Sequence, residues 1–421
     1  MIERLALIVL GSLALAATAH AATAKTAPRT GLVLERVVIV QRHGVRPPIP
    51  TNQELAAYAE KPWPAWPVKP GELTPHGGQT VRLVGRTLRH AYRDLLPTGC
   101  RGADQITVWG DGADERTRRT GEILAESLSP NCSLKAAWAP PLPRDPIFNG
   151  DRSAPACRSD PDAAHAGLLA GIGPGGIETP ATISALKHLQ AILAPTACAG
   201  GAGTCFLSKG QGAAGTNGSK AGSPLPVTSS LAEDLLLEYA EGMPRADVGW
   251  GRAGSAADIA AVMPVHERAF ELYRRNLYSV SRDGAPMARL VLAALAGETR
   301  AASPSFGPGT RVLALAGHDT NLVLMGGIFG LNWTLPDEPD ATAPATALAF
   351  ELWSDRATGA RFVRPVIYYA TLDQLRTLAP ASAHSLTLSF AGCASGPMGS
   401  CALDTLRRQT LALIPPGCGE V

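Results

Sequence analysis

Glu35-Arg36-Val37-Val38-Ile39-Val40-Gln41-Arg42-His43-Gly44-Val45-Arg46-Pro47-Pro48 is the stretch around which the chain is organised. Val37 to Val40 are four consecutive β-branched residues, and such a run predicts a strand covered on both faces. The strand opens into Arg42-His43-Gly44-Val45-Arg46, where Gly44 is expected to allow a tight turn and Pro47-Pro48 to fix the exit. Two guanidiniums thus flank one imidazole at the carboxyl end of a strand, the edge where ligands bind in α/β sheets. Guanidinium forks match phosphate oxygens in pairs and stay charged at any working pH. Their charge would hold His43 neutral and keep a ring nitrogen nucleophilic. An isolated Arg-His-Gly would read better as a solvated basic turn, but the full spacing after an apolar strand is far more specific.

Two further strand ends carry polar clusters. Ile106–Trp109 predicts a strand, followed by Asp111, the string Asp114-Glu115-Arg116-Thr117-Arg118, and an amphipathic helix to about Leu128. Helix N-termini bind anions through free N–H groups, although this segment alone reads as readily as a helix start with surface charges. Val312–Ala316 predicts a third strand, and Gly317-His318-Asp319-Thr320-Asn321 leads from it into another helix. A lone His-Asp is often only a helix cap. If the three strands are neighbours, Arg42, Arg46 and Arg116 meet His43, His318 and Asp319 in one crevice. Such a set suits phosphoryl transfer, which needs positioning and charge stabilisation on the equatorial oxygens. It needs no metal or other cofactor, and no His/Cys/carboxylate cluster has metal-ligand spacing in the sequence.

At 421 residues the chain can bury a large core and divide into two domains. A formal charge of +2 leaves no bulk electrostatic footprint for nucleic acid, so any anion preference must be local. Residues 1–22 have the basic start, apolar centre and small-x-small end of a secretory signal peptide, and no later stretch predicts a membrane span. Removal of this leader deletes Glu3 and Arg4 together and leaves the charge unaltered. Export then makes disulfides the expected state of the eight cysteines, for which about 105 pairings are possible. Loop closure favours Cys198 with Cys205 and Cys393 with Cys401.

Thr74 and Pro75 predict a helix start, with Val81, Val84, Leu88, Ala91 and Leu95 as its buried stripe and His76 as a helix-start residue. The preceding loop, Lys61 to Gly71, is proline-rich, and its tryptophans read first as packing groups. Helical patterns at Asp160–Leu169, Pro180–Leu193, Ser229–Glu241 and Ala256–Tyr278 predict a helical second domain over 142–285. Its Gly-rich segment 198–226 reads as a loop excursion. The α/β domain is then 30–141 with 286–421, including strands near Leu348–Trp353, Val363–Tyr369 and Ser385–Phe390.

The Arg-His-Gly-x-Arg-x-Pro, Asp-Glu-Arg-Thr-Arg and Ala-Gly-His-Asp-Thr-Asn strings together resemble the histidine acid phosphatases, the secreted branch of the histidine phosphatase superfamily. The resemblance covers nearly the whole chain and follows the bacterial periplasmic phytases more closely than the glucose-1-phosphatases. It implies a phosphoglycerate mutase-like fold: a central mixed, largely parallel sheet flanked by helices, with a smaller, mostly helical domain. It also implies the pairs Cys100–Cys132 and Cys157–Cys418, a monomer, a periplasmic or secreted location and a small-molecule phosphate monoester as partner.

Carried onto this chain, the family pattern makes His43 the nucleophile and Asp319 the acid that protonates the leaving alcohol. Arg42, Arg46, Arg116 and His318 then hold phosphate, and Glu233 becomes a substrate-contact or proton-transfer residue, although a carboxylate on a helix is usually solvated. Arg282 falls near another family arginine across a gap in the alignment. The loop before Arg116 is one residue longer than the usual pattern, which assigns Asp111 no role. Ile49 and Pro50 stand where the phytases carry a threonine and a lysine, so one charge contact is absent. The expected reaction is phosphomonoester hydrolysis through a phosphohistidine, of phytase type. A glucose-1-phosphatase or broad phosphatase is the alternative, and a phosphate-ester binding protein the non-enzymatic one.

Overall fold

The computed structural model describes residues 31–96, 99–141, 143–150, 155–172, 176–177, 179–199, 205 and 225–420. The expected leader and almost all of the Gly-rich excursion lie outside the described residues. Strand β1 (Leu32–Arg42) is followed by a short helix α1 (Asn52–Leu55), helix α2 (Pro75–Ala91), strand β2 (Ile106–Gly110), helix α3 (Glu115–Leu128) and the short strand β3 (Ala137–Trp138). Helices α4 (Pro161–Ile172), α5 (Pro180–Leu193), α6 (Leu225–Ala240), α7 (Ala256–Val262), α8 (Pro264–Tyr273), α9 (Leu277–Asp283) and α10 (Ala285–Ala296) come next. Then follow β4 (Val312–Gly317), α11 (Asp319–Ile328), β5 (Ala347–Asp355), β6 (Arg361–Tyr369), α12 (Leu372–Thr377), β7 (His384–Thr387), β8 (Cys401–Ala402) and α13 (Leu403–Leu413). No helix among the described residues is long and apolar enough to cross a membrane.

The strands form one mixed sheet in the order β3-β2-β4-β1-β5-β6-β7, with β8 beside β6. Its parallel half is β3, β2, β4 and β1, while β5, β6 and β7 run antiparallel to their neighbours. The apolar run of β1 alternates between two cores, as a strand covered on both faces must. Val38 and Val40 join α10 and α11 on one side, and Val37 and Ile39 join α2 and α3 on the other. The third late strand ends at Thr387, short of the expected Phe390, which makes only an isolated bridge to Cys393.

Helix α2 begins as its caps dictate: the Gly77 N–H donates to Thr74 Oγ1 at 2.8 Å, and Pro75, with no N–H to lose, occupies the first turn. Val81, Val84, Leu88 and Leu95 are buried, but Ala91 is exposed. The helix stops at Ala91, and the next residue, Tyr92, turns its ring inward and donates its hydroxyl to Glu351 at 3.1 Å. Gly44 also differs from expectation, since its φ is not positive. A Cβ there would stand 2.2 Å from the Gly77 carbonyl oxygen, and one on Gly77 would stand 2.1 Å from that of Val45. The glycine pair lets the loop after β1 press onto the start of α2, which fixes His43 between strand and helix.

The helix expected over Ala256–Tyr278 is three helices. Pro264 cannot donate to the preceding turn and starts a new one, and Asn276 caps the third by accepting from the Ser279 N–H at 3.0 Å. Helices α5 to α8 close around Leu189, Leu235, Leu236 and Val265. Trp63 of the proline-rich loop packs into this core, its indole N–H donating to the Leu55 carbonyl at 3.0 Å. Disulfides join Cys100 to Cys132, Cys157 to Cys418, Cys198 to Cys205 and Cys393 to Cys401. The second ties the start of the helical stretch to the tail of the chain.

Candidate active site

Strand pairing alone brings the three clusters together. β4 lies between β2 and β1, with Arg42 opposite Gly317 and Gly110 opposite Ala316. Past the strand ends, the His43 N–H donates to Gly317 O at 3.0 Å and the Asp111 N–H donates to Ala316 O at 3.0 Å. Residues more than two hundred positions apart thus leave one sheet edge side by side. A cleft of about 590 Å³ opens there, lined by His43, Arg46, Arg116, Glu233, His318 and Asp319 among others.

The His43 ring is 1% exposed and stands 5.6 Å from the His318 ring, edge to face. Its Nδ1–H donates to the Gly44 carbonyl at 2.8 Å; a carbonyl only accepts, so the proton sits on Nδ1 and Nε2 keeps its lone pair. Burial, then the charges of Arg116, Arg42 and Arg46, hold the imidazole well below its usual pKa. The shift favours the neutral imidazole, with burial as the larger cause and the flanking arginines adding to it.

Arg42 lies beneath the cleft floor and does not line it. Its guanidinium is fully buried, paired with Glu233, with Asp319 at 3.1 Å and with Asp340 at 2.8 Å, and it donates to Thr342 O at 2.7 Å. Arg46 reaches the other oxygen of Glu233 at 3.2 Å. Glu233 is thus not a solvated helix carboxylate: it bridges two arginines from the opposite wall. Arg116, on the first turn of α3, lies 3.2 Å from Asp114 and donates to Gly71 O at 3.2 Å, with His318 Nδ1 at 3.5 Å. Arg282 does not line the cleft; its guanidinium stands over the Tyr278 ring at 4.1 Å.

Asp319 begins α11, where its Oδ1 accepts from the Thr320 N–H at 2.5 Å and hydroxyl at 3.0 Å. Burial pushes its carboxyl up, but the charge of Arg42 above all, with that of Arg46, outweighs burial and holds it well below the usual carboxylate range. The unliganded site therefore contains a carboxylate, not the acid that leaving-group protonation requires. An anion held by Arg46 in the cleft would weaken that hold and raise it.

Asp111, given no role by the sequence, is fully buried and accepts from His318 Nε2–H at 3.0 Å. The turn after it is closed by the Ala113 N–H, which donates back to Asp111 Oδ1 at 3.1 Å. Asp111, Asp114 and His318 also bring ligand-type atoms within 4.8 Å, a cluster that sequence spacing did not reveal. Arg116 and Arg144, at 3.2 and 3.6 Å from Asp114, already place positive charge against it. Asp340 under Arg42 and His266 on the cleft wall were missed too, since neither sits in a local motif.

Helix α6 buries two more acids behind Glu233. Asp234 Oδ2 and Glu238 Oε1 have no hydrogen-bond partner among the described residues, and burial, followed for Asp234 by the charge of Glu233, pushes both carboxyls up to about 8. The unfolded values are near 4, so between about pH 4 and 8 the folded chain holds two protons that the unfolded chain has lost. Their contribution to stability is complete below that window and falls by roughly 1.4 kcal/mol per group per pH unit as pH rises through it. Asp234→Asn removes one of the two. Melting temperatures measured from pH 4 to 8 should fall less steeply for this variant than for the parent; parallel curves would contradict the assignment.

The fold and the convergent His-Arg-Asp site define a histidine phosphatase, and the family profile of the histidine phosphatase superfamily (branch 2) matches residues 33–164 and 234–368. The chain belongs to that family and is a hydrolase of the histidine acid phosphatase type. Phytase AppA of Escherichia coli (strain K12) is 32% identical over 415 residues, covering 93% of this chain and 94% of that protein. Glucose-1-phosphatase of Providencia rettgeri is 24% identical, with 91% and 93% covered. The structure of Hafnia alvei phytase in complex with myo-inositol hexakis sulphate matches with a TM-score of 0.83 and 33% identity, over 93% of this chain and 99% of that one.

Proposed function

We propose that this chain is an exported phytase-type acid phosphatase that removes phosphate from an inositol polyphosphate through a phosphohistidine on His43. The observation that carries the reading is the state of His43: a neutral ring with its proton held on Nδ1, placed in a cleft beside Arg46, Arg116, His318 and Asp319. Nε2 attacks phosphorus in line, and the guanidiniums take the charge on the equatorial oxygens. Phosphate in the cleft competes with Glu233 and Asp319 for Arg46, which raises Asp319 and lets it protonate the leaving alcohol. Water then attacks the phosphohistidine, with Asp319 accepting its proton. His318, its Nε2–H held by Asp111, supports the phosphate from the α11 side. The four disulfides suit the oxidising compartment to which the leader at 1–22 would send the chain. The helical unit, taken as residues 142–285, supplies the wall that carries Glu233.

The preference for phytate rests on the 32% identity to a phytase, against 24% and 26% to glucose-1-phosphatases, and on the number of arginines around the cleft. The apolar Ile49 on the rim favours the glucose-1-phosphatase alternative. The test is phosphate release at about pH 4.5 from phytate, glucose 1-phosphate and an aryl phosphate, with and without chelator. The expected result is release from all three, greatest from phytate and indifferent to chelator. A higher kcat/KM for glucose 1-phosphate than for phytate would transfer the assignment, and release from none would leave a binding protein.

A further inference from the structure

The cleft contains more positive charge than one phosphoryl group can use. Arg42 is spent on three carboxylates, Arg46 faces Glu233 and Arg116 faces Asp114 around the reacting position. Two other guanidiniums line the same cleft further out. Arg144, on the loop after β3, is partly exposed, and its nearest carboxylate is Asp114 at 3.6 Å, outside hydrogen-bond range and already claimed by Arg116. Arg274, just past α8 on the helical side, is exposed, and no hydrogen bond or ion pair engages its guanidinium among the described residues. Its neighbours are different: Arg268 donates to the carbonyls of Ile172, Gly176 and Ile177, and Arg275 to Leu331 O and Asn332.

We propose that Arg144 and Arg274 form an outer anion subsite that holds a second phosphate of the substrate while the first lies at His43. Resting on the phosphatase reading above, this selects polyphosphorylated small molecules over simple monoesters. The cleft is far larger than one phosphate group, and the two arginines approach it from different walls, one from the sheet side and one from the helices. Ile49 leaves its own part of the rim uncharged, at 58% exposure, so anionic recognition outside the reacting position falls to these two side chains and not to that loop. A second phosphate taken there is held by two forks that no protein carboxylate saturates. A monoester with one anionic group gains nothing from them.

The experiment compares kcat/KM for myo-inositol hexakisphosphate with that for 4-nitrophenyl phosphate in the parent and in R144Q/R274Q. Removal of two partly exposed charge contacts should lower the ratio of the two by about tenfold. The dissociation constant for myo-inositol hexakis sulphate, read without turnover, should rise by a similar factor. A ratio and a dissociation constant that both stay at the parent values overturn the subsite, whether the two activities fall together or not at all. A parent protein that hydrolyses neither ester would instead overturn the phosphatase reading on which the subsite rests.

Discussion

Replacement of His43 by alanine should lower kcat by at least about 10⁵-fold for every phosphate ester, because no other group can form the covalent intermediate. The loss would be chemical and not structural. His43 is held by its backbone N–H on Gly317 and by the Ala345 N–H on its carbonyl, and both bonds survive the substitution. The arginines also keep their carboxylate partners, so the variant should fold and still bind myo-inositol hexakis sulphate. Residual turnover within about tenfold of the parent would mean that water attacks phosphorus directly.

Asp319→Asn should produce the next largest effect, and its size should depend on the leaving group. An alkoxide needs a proton as it departs, so inositol phosphates should lose roughly 10²- to 10⁴-fold in kcat, whereas an aryl phosphate should lose much less. Arg42 keeps Glu233 and Asp340 in this variant, which protects the floor of the site. The pH profile gives a second readout. Asp319 is held ionised in the free site and becomes an acid only with phosphate bound, so kcat in the parent should fall as pH rises through its value in the complex. That limb should be missing in the variant. Equal losses for aryl and alkyl esters would remove Asp319 from the role of acid.

What could be read from the sequence was whatever a short window determines. Val37 to Val40 announce a doubly covered strand, Thr74-Pro75 a helix start, and Gly317-His318-Asp319 a strand opening into a helix. Three strand ends with charged residues already pointed to one crevice, provided the strands were adjacent, and the order β2-β4-β1 makes them so. Interactions across long sequence separations left no such mark. Nothing around Asp340 or Glu233 announces that both reach Arg42, 298 and 191 residues away. Asp111 was discounted by counting residues, whereas its position is set by the bond from its N–H to Ala316 O. The role of Gly44 was misjudged for a related reason: its partner Gly77 lies in another element, and only their close approach shows why both lack side chains.

A rapid quench into alkali during turnover of a labelled phosphate ester, followed by peptide mapping, reads the covalent step on His43 itself. Phosphate is expected on the imidazole of His43, stable to alkali, labile to acid and absent from His43→Ala. Label on another residue, or a full burst of product with no phosphopeptide at all, would contradict that step.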